Sequence, residues 1–146
     1  MGTITTAMCS SFKQELLGGV HDLDTHTLKI ALIKSSPTGS YGAATTNYSD
    51  VTGNSDEATG TNYSAGGQNL DSAAISLSGT TAIVDFADEV FTNLTLTARG
   101  CIIYNSSASN KAIAVFDFGG DVSATSGDFT IVFPTADASN AVIRIA

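Results

Sequence analysis

The chain has two histidines, and both fall within six residues, His21-Asp22-Leu23-Asp24-Thr25-His26. Two imidazoles and two carboxylates so close together could ligate a metal ion or supply a base to a nucleophile. The spacing matches no established zinc pattern, and no G-x-S-x-G elbow presents a serine. A solvated turn leading into a strand is the plainer reading. Other acidic groups invite the same test. Asp117, Asp121 and Asp128 could gather a hard cation, but their spacing is not that of an EF-hand. Asp85, Asp88 and Glu89 suggest a carboxylate pair, but acid–base work needs a defined separation and a cleft that shifts a pKa. Asp117-Phe118-Gly119 spells a kinase signature without the glycine loop, paired lysine and catalytic loop that give it meaning. All of these read better as charged turns at strand ends. The expectation is a protein that is not an enzyme, with no metal and no cofactor.

The stretch Glu57–Gly67, E-A-T-G-T-N-Y-S-A-G-G, poses a different question. A phosphate loop needs G-x-x-x-x-G-K-[ST] between a strand and a helix. Here Gly60 and Gly66 are followed by Gly67 and Gln68, with no lysine. The glycines permit tight turns and close backbone approach, and Tyr63 offers a large contact area at low entropy cost. Either Tyr63 meets a partner or it folds back onto its own sheet. A shorter copy, Thr46-Asn47-Tyr48-Ser49, lies upstream.

These residues must be positioned by strands. Charged residues make up only 14% of the 146, so Ser, Thr, Ala, Gly and Asn cover the surface, a palette that suits strands, turns and contact with neighbours. The net charge of −8 and the scattered Lys and Arg residues exclude an electrostatic footprint for nucleic acid or anionic lipid. No segment is apolar for long enough to span a bilayer, and Met1–Ala7 lacks the features of a signal peptide. Synthesis in a cytoplasm follows, and the N-x-[ST] matches at Asn47, Asn62, Asn93 and Asn105 are then chance. Cys9 and Cys101 read as free, partly buried thiols rather than a disulfide framework.

One domain spans residues 1–146. A helix is expected over Ala7–Leu17, with Met8, Phe12 and Leu16 four apart and Leu17 beside them. Thr5 or Thr6 would cap it, Gly18-Gly19 would stop it, and residues 7–22 would form helix and connection. Strands are expected at Thr27–Lys34, Ile75–Leu77, Thr81–Phe86, Leu94–Tyr104, Ala112–Phe118, Phe129–Phe133 and Val142–Ile145. Residues 35–72 form a long Gly/Ser/Thr/Asn-rich loop, the kind that is functional or ordered by a partner. The predicted fold is all-β, an antiparallel β-sandwich, jelly-roll-like, with a short N-terminal helix.

The order F-K-Q-E-L-L-G-G-V-H, T-L-K-I-A-L, N-Y-S, E-A-T-G-T-N-Y-S-A-G-G, D-F-A-D-E, L-T-L-T-A-R-G-C-I-I-Y-N and V-I-R-I resembles small structural proteins of tailed bacteriophages, including marine and cyanobacterial phages. Gly60–Gly67 and Thr97–Tyr104 are its most specific parts. The resemblance covers nearly the whole chain and carries over no catalytic residue. It implies a virion protein on the capsid exterior, a decoration or cement protein. Its partners would be the major capsid protein and copies of itself, with a trimer as one option. The alternatives are a tail tube, adaptor or fibre component. A carbohydrate-binding module is a further one, disfavoured because there is no Trp and the tyrosines do not line up on one strand. The expected partner contacts are Met8, Phe12, Leu16 and Leu17 on the helix, unless that stripe packs on its own sandwich, with Tyr48 and Tyr63 on the loop.

Overall fold

The computed structural model describes residues 1–146. The chain is mostly strand, arranged in two antiparallel sheets. In order these are β1 (Ala7–Met8), α1 (Ser10–Leu17), β2 (Leu28–Lys34), α2 (Ser49–Gly53), β3 (Gln68–Asn69), β4 (Ala74–Ser78), β5 (Thr81–Asp85), β6 (Glu89–Asn105), a 3-10 turn at Ser106–Ala108, β7 (Lys111–Ile131) and β8 (Ile143–Ile145). The larger sheet runs β1-β7-β6-β2-β3 and the smaller β4-β5-β8.

Strand β2 lies inside the larger sheet, between β6 and the short edge strand β3, and Leu28 and Ile30–Ile33 are all buried. Apolar residues follow one another without alternation because both faces are covered. Its register with β6 sets Ile30 against Ile103 and Leu32 against Cys101, on the face opposite to Ala31, Ile33, Ile102 and Tyr104.

The β6–β7 hairpin is long and broken by register shifts between Phe91 and Leu94, Leu94 and Leu96, Ala98 and Gly100, and Ile103 and Tyr104. Val122 pairs with Ala98 and Asp117 with Gly100, so Phe118–Asp121 bulge out opposite the single residue Arg99. Bulges of this kind bend a strand. Eleven residues of straight strand would separate Phe118 from Phe129 by ~36 Å. Their rings lie 6.0 Å apart instead, so the hairpin folds back on itself. The expected strands Ala112–Phe118 and Phe129–Phe133 are therefore one bent strand, with Gly119–Gly127 inside it rather than a free loop.

The helix begins at Ser10, later than expected. Ala7 and Met8 are extended because they pair with Val115 and Ala114 of β7. Cys9, not Thr5 or Thr6, is the N-cap, and its side chain makes no capping bond. The C-terminal end follows the glycine signal. Gly19 takes φ +76°, and the N–H groups of Gly19 and Val20 donate to the carbonyls of Leu16 and Glu15. That closes a Schellman motif. Phe12 is fully buried against the ring of His21, with centroids 4.9 Å apart.

Candidate interaction surface

The segment 35–72 is an ordered layer on the larger sheet, built around two adjacent carboxylates. Asp56 is fully buried. It accepts from the N–H groups of Thr38 (2.9 Å) and Gly39 (2.8 Å) and from the hydroxyls of Thr38 (2.8 Å) and Tyr41 (2.5 Å). Lys34 Nζ lies 3.1 Å away. Burial alone would raise its pKa, but the bonds from Thr38, Tyr41 and Gly39 outweigh that and hold the carboxyl well below the usual range. Tyr41 is pushed up to about 12 by burial and by the Asp56 carboxylate.

Glu57 gathers the loop that follows. It accepts from Tyr48 Oη at 2.5 Å, Tyr63 Oη at 2.8 Å and the Gly66 N–H at 2.7 Å. Tyr48 stacks on Tyr104 with centroids 4.4 Å apart, and Tyr104 Oη donates to the Gly66 carbonyl at 2.6 Å. Burial first, and Glu57 second, raises Tyr104 to about 12. Tyr48 and Tyr63 also rise, again mainly through burial.

The path of the backbone explains why a tyrosine is needed. Lys34 N–H donates to the Asp56 carbonyl, and Ala58 N–H to the Leu32 carbonyl. Residues 68 and 69 then pair with Ile30 and Lys29. Between these stretches the chain leaves the edge of β2, which would orphan the Leu32 N–H. Tyr63 Oη accepts it at 2.9 Å. The glycines allow the return. Gly67 has φ +77°, and a Cβ there would lie 1.8 Å from the Ile30 carbonyl oxygen. At Gly60 a Cβ would lie 2.1 Å from the Thr95 carbonyl oxygen. The glycine-rich stretch is a close fit to its own sheet.

This placement removes Phe12 from the six expected partner contacts and ties two others into the chain's own loop. Phe12 is core and reaches no surface. Tyr48 and Tyr63 are half-buried and brought together at Glu57 as internal seals. Leu16 is half-buried beside the smaller sheet, and Met8 is half-buried on β1. Leu17 alone among the six is free, at 92% exposure.

The groups with chemical promise are engaged in turns. His21 Nε2 lies 3.0 Å from Glu15, and the Asn105 amide nitrogen lies 3.0 Å from His21 Nδ1 and 2.9 Å from His26 Nδ1. Both imidazoles thus accept at Nδ1 from one amide, whose oxygen caps the Ser107 N–H. Asp22 accepts from the N–H groups of Asp24 and Thr25. Asp117 accepts from Gly119 N–H, Asp121 pairs with Arg99 at 3.3 Å, and Asp128 accepts from Asn93 N–H. Asp88 accepts from the N–H of Phe133. Glu89 is buried beside Gln68, and burial raises its pKa. No three His, Cys, Asp or Glu side chains converge where they could hold a metal ion.

What the surface does offer is apolar. Across the smaller sheet the register sets Leu77, Ala82 and Ile145 in one row and Ile75, Val84 and Ile143 in the next. Val84 and Ile143 are buried, whereas Leu77, Ile75 and Ile145 are 74%, 53% and 45% exposed. Ile75, Val84, Ile143 and Ile145 of this face, with Leu16 and Leu23, line a groove of about 410 Å³. Sequence reading places Ile75 and Leu77 in a hairpin but gives no sign that their side of it is open. The one legible signal is the run from Ser72 to Val84, which holds no charge. Comparison with known proteins finds no family model, no curated protein and no solved structure that matches this chain.

Proposed function

We propose that the chain is a structural protein of a tailed-phage virion, a capsid decoration protein that binds the shell from outside and stabilises it. The observation that carries this reading is the contiguous apolar face of Ile75, Leu77 and Ile145 on a chain so poor in charge. Such a patch suits a surface that another protein covers. Bound copies would favour the assembled shell by mass action. The virion, rather than another assembly, comes from the likeness of Gly60–Gly67 and Thr97–Tyr104 to small phage structural proteins.

In this reading the partners are the major capsid protein and further copies of the chain, and no reaction is catalysed. The fold is a jelly-roll-like β-sandwich with the two sheets as its layers. In support, Val84, Phe86 and Ile143 share one buried cluster with Phe91, Leu94 and Ile102. The test is to separate heads from tails of the phage that encodes the chain and to quantify it in each by mass spectrometry. Recovery with the heads supports decoration. Recovery with the tails moves the protein to the tube, adaptor or fibre.

A further inference from the structure

We infer that strand β4 is a docking edge for a second copy of this chain, pairing antiparallel with its own counterpart about a two-fold axis at Ser76. The edges of the larger sheet are the two-residue strands β1 and β3, and β8 carries Arg144 on three residues. β4 offers five residues, Ala-Ile-Ser-Leu-Ser, and none of the lysines, prolines or bulges that usually guard a strand edge.

The direction of its free backbone groups follows from the turn. Ser78 pairs with Thr81 across Gly79-Thr80, and Gly79 has φ +62°. In a two-residue hairpin the flanking residues exchange both backbone bonds, and the pattern alternates from there. Ser78, Ser76 and Ala74 therefore point their N–H and C=O groups at β5. Those of Ile75 and Leu77 point outward, where no loop backbone or side chain bonds to them.

This edge is self-complementary, and one register pairs both of its outward-pointing residues within β4. With Ser76 opposite Ser76 of the second copy, Ile75 faces Leu77 and Leu77 faces Ile75. These outward-pointing residues exchange four backbone hydrogen bonds across the axis. The same register puts the exposed Ile75 and Leu77 side chains of both copies on one face, so the apolar patch becomes continuous across a six-stranded sheet. Charge agrees with this choice of surface. Each copy carries −8, and the uncharged Ser72–Val84 run is where two copies approach with least repulsion. A five-residue edge alone buries less than the ~1,000 Å² of a stable dimer. The pairing is thus weak in dilute solution and grows where many copies are held close.

Directly opposed residues of a non-hydrogen-bonded pair have Cα atoms ~4.5 Å apart, within disulfide reach. Ser76→Cys should therefore cross-link to itself under mild oxidation of the folded protein. Ser78→Cys should not, because its counterpart lies ~14 Å along the strand. The native Cys9 and Cys101 are buried and add little background. Sedimentation velocity should show wild-type dimer rising with concentration, and Leu77→Lys should weaken it at least ~tenfold. Val132→Lys, on another exposed apolar residue, should leave it unchanged. Three results overturn the proposal: equal cross-linking of both cysteine variants, no self-cross-linking of Ser76→Cys, or dimerisation insensitive to Leu77→Lys. Cross-linking of Ser76→Cys to a shell protein alone would assign the edge to that partner instead. If a cysteine variant misfolds by circular dichroism, the Leu77→Lys comparison decides.

Discussion

The hydroxyl of Tyr63 accepts the backbone N–H of Leu32 at 2.9 Å while donating to Glu57 at 2.8 Å. One side chain fills the gap in the edge of β2 where the neighbouring strand is interrupted. Tyr63→Phe keeps the ring and removes the oxygen, leaving a buried donor without its partner. Urea unfolding should show a loss of about 1–3 kcal/mol with little change in m. The Leu32 amide should also exchange faster with solvent. A variant as stable as the wild type would mean that water replaces the hydroxyl at no cost.

Asp56 predicts a pH dependence. Its pKa is depressed in the folded protein and ordinary in the unfolded chain, near 3.9. Its contribution is thus fully present above about pH 4 and is lost as the pH falls toward the depressed folded value. Urea midpoints of the wild type should drop through this window more steeply than those of Asp56→Asn. At pH 7 Asp56→Ala should cost about 2–4 kcal/mol, since several charge-assisted bonds go together. Parallel pH curves for the wild type and Asp56→Asn would contradict the assignment.

Two glycines with positive φ separate backbone strain from close packing. Gly79 has open space around a built Cβ, whereas at Gly67 the Cβ meets the Ile30 carbonyl. Gly79→Ala should cost about 1–2 kcal/mol from the left-handed conformation alone. Gly67→Ala should cost clearly more, and should also quicken exchange at the amides joining β2 to β3. Thermal unfolding of the pair provides the comparison.

The thiols should be silent. Burial raises both Cys9 and Cys101 to about 12, so almost no thiolate exists at neutral pH. A thiol reagent should label neither in the folded protein and both in denaturant. Rapid labelling of native Cys9, whose Sγ sits 3.8 Å from the Gly42 carbonyl, would show that the N-terminal segment opens.

Much of the strand pattern is legible because it rests on local alternation. Leu28–Lys34, the hairpin around Gly79 and the closing Ile143–Ile145 lie close to where the sequence places them. The bent β7 is not legible, since Gly119–Gly127 has turn composition and becomes strand only through pairing with β6. The start of α1 is hidden for the same reason, because Ala7 and Met8 have helical spacing but a β7 partner. The short helix α2 inside the loop carries no clear period. At the loop, sequence identifies Tyr63 and the glycines as a shaped element but leaves its direction open. The Leu32 N–H decides the direction, and a backbone donor from another strand leaves no mark in the local residues. The exposure of Ile75 and Leu77 leaves only the uncharged run Ser72–Val84 as a sign, since alternation shows which residues share a face but not whether that face is covered.

The proposed role is tested most directly by cosedimentation of the purified protein with phage head shells lacking it. The account predicts saturable binding to the shells and none to isolated tails, weakened by Leu17→Lys or Leu77→Lys. Tyr63→Phe, kept below its unfolding temperature, should bind as the wild type does. No binding to shells, or binding lost in Tyr63→Phe while Leu17→Lys and Leu77→Lys bind normally, would contradict it.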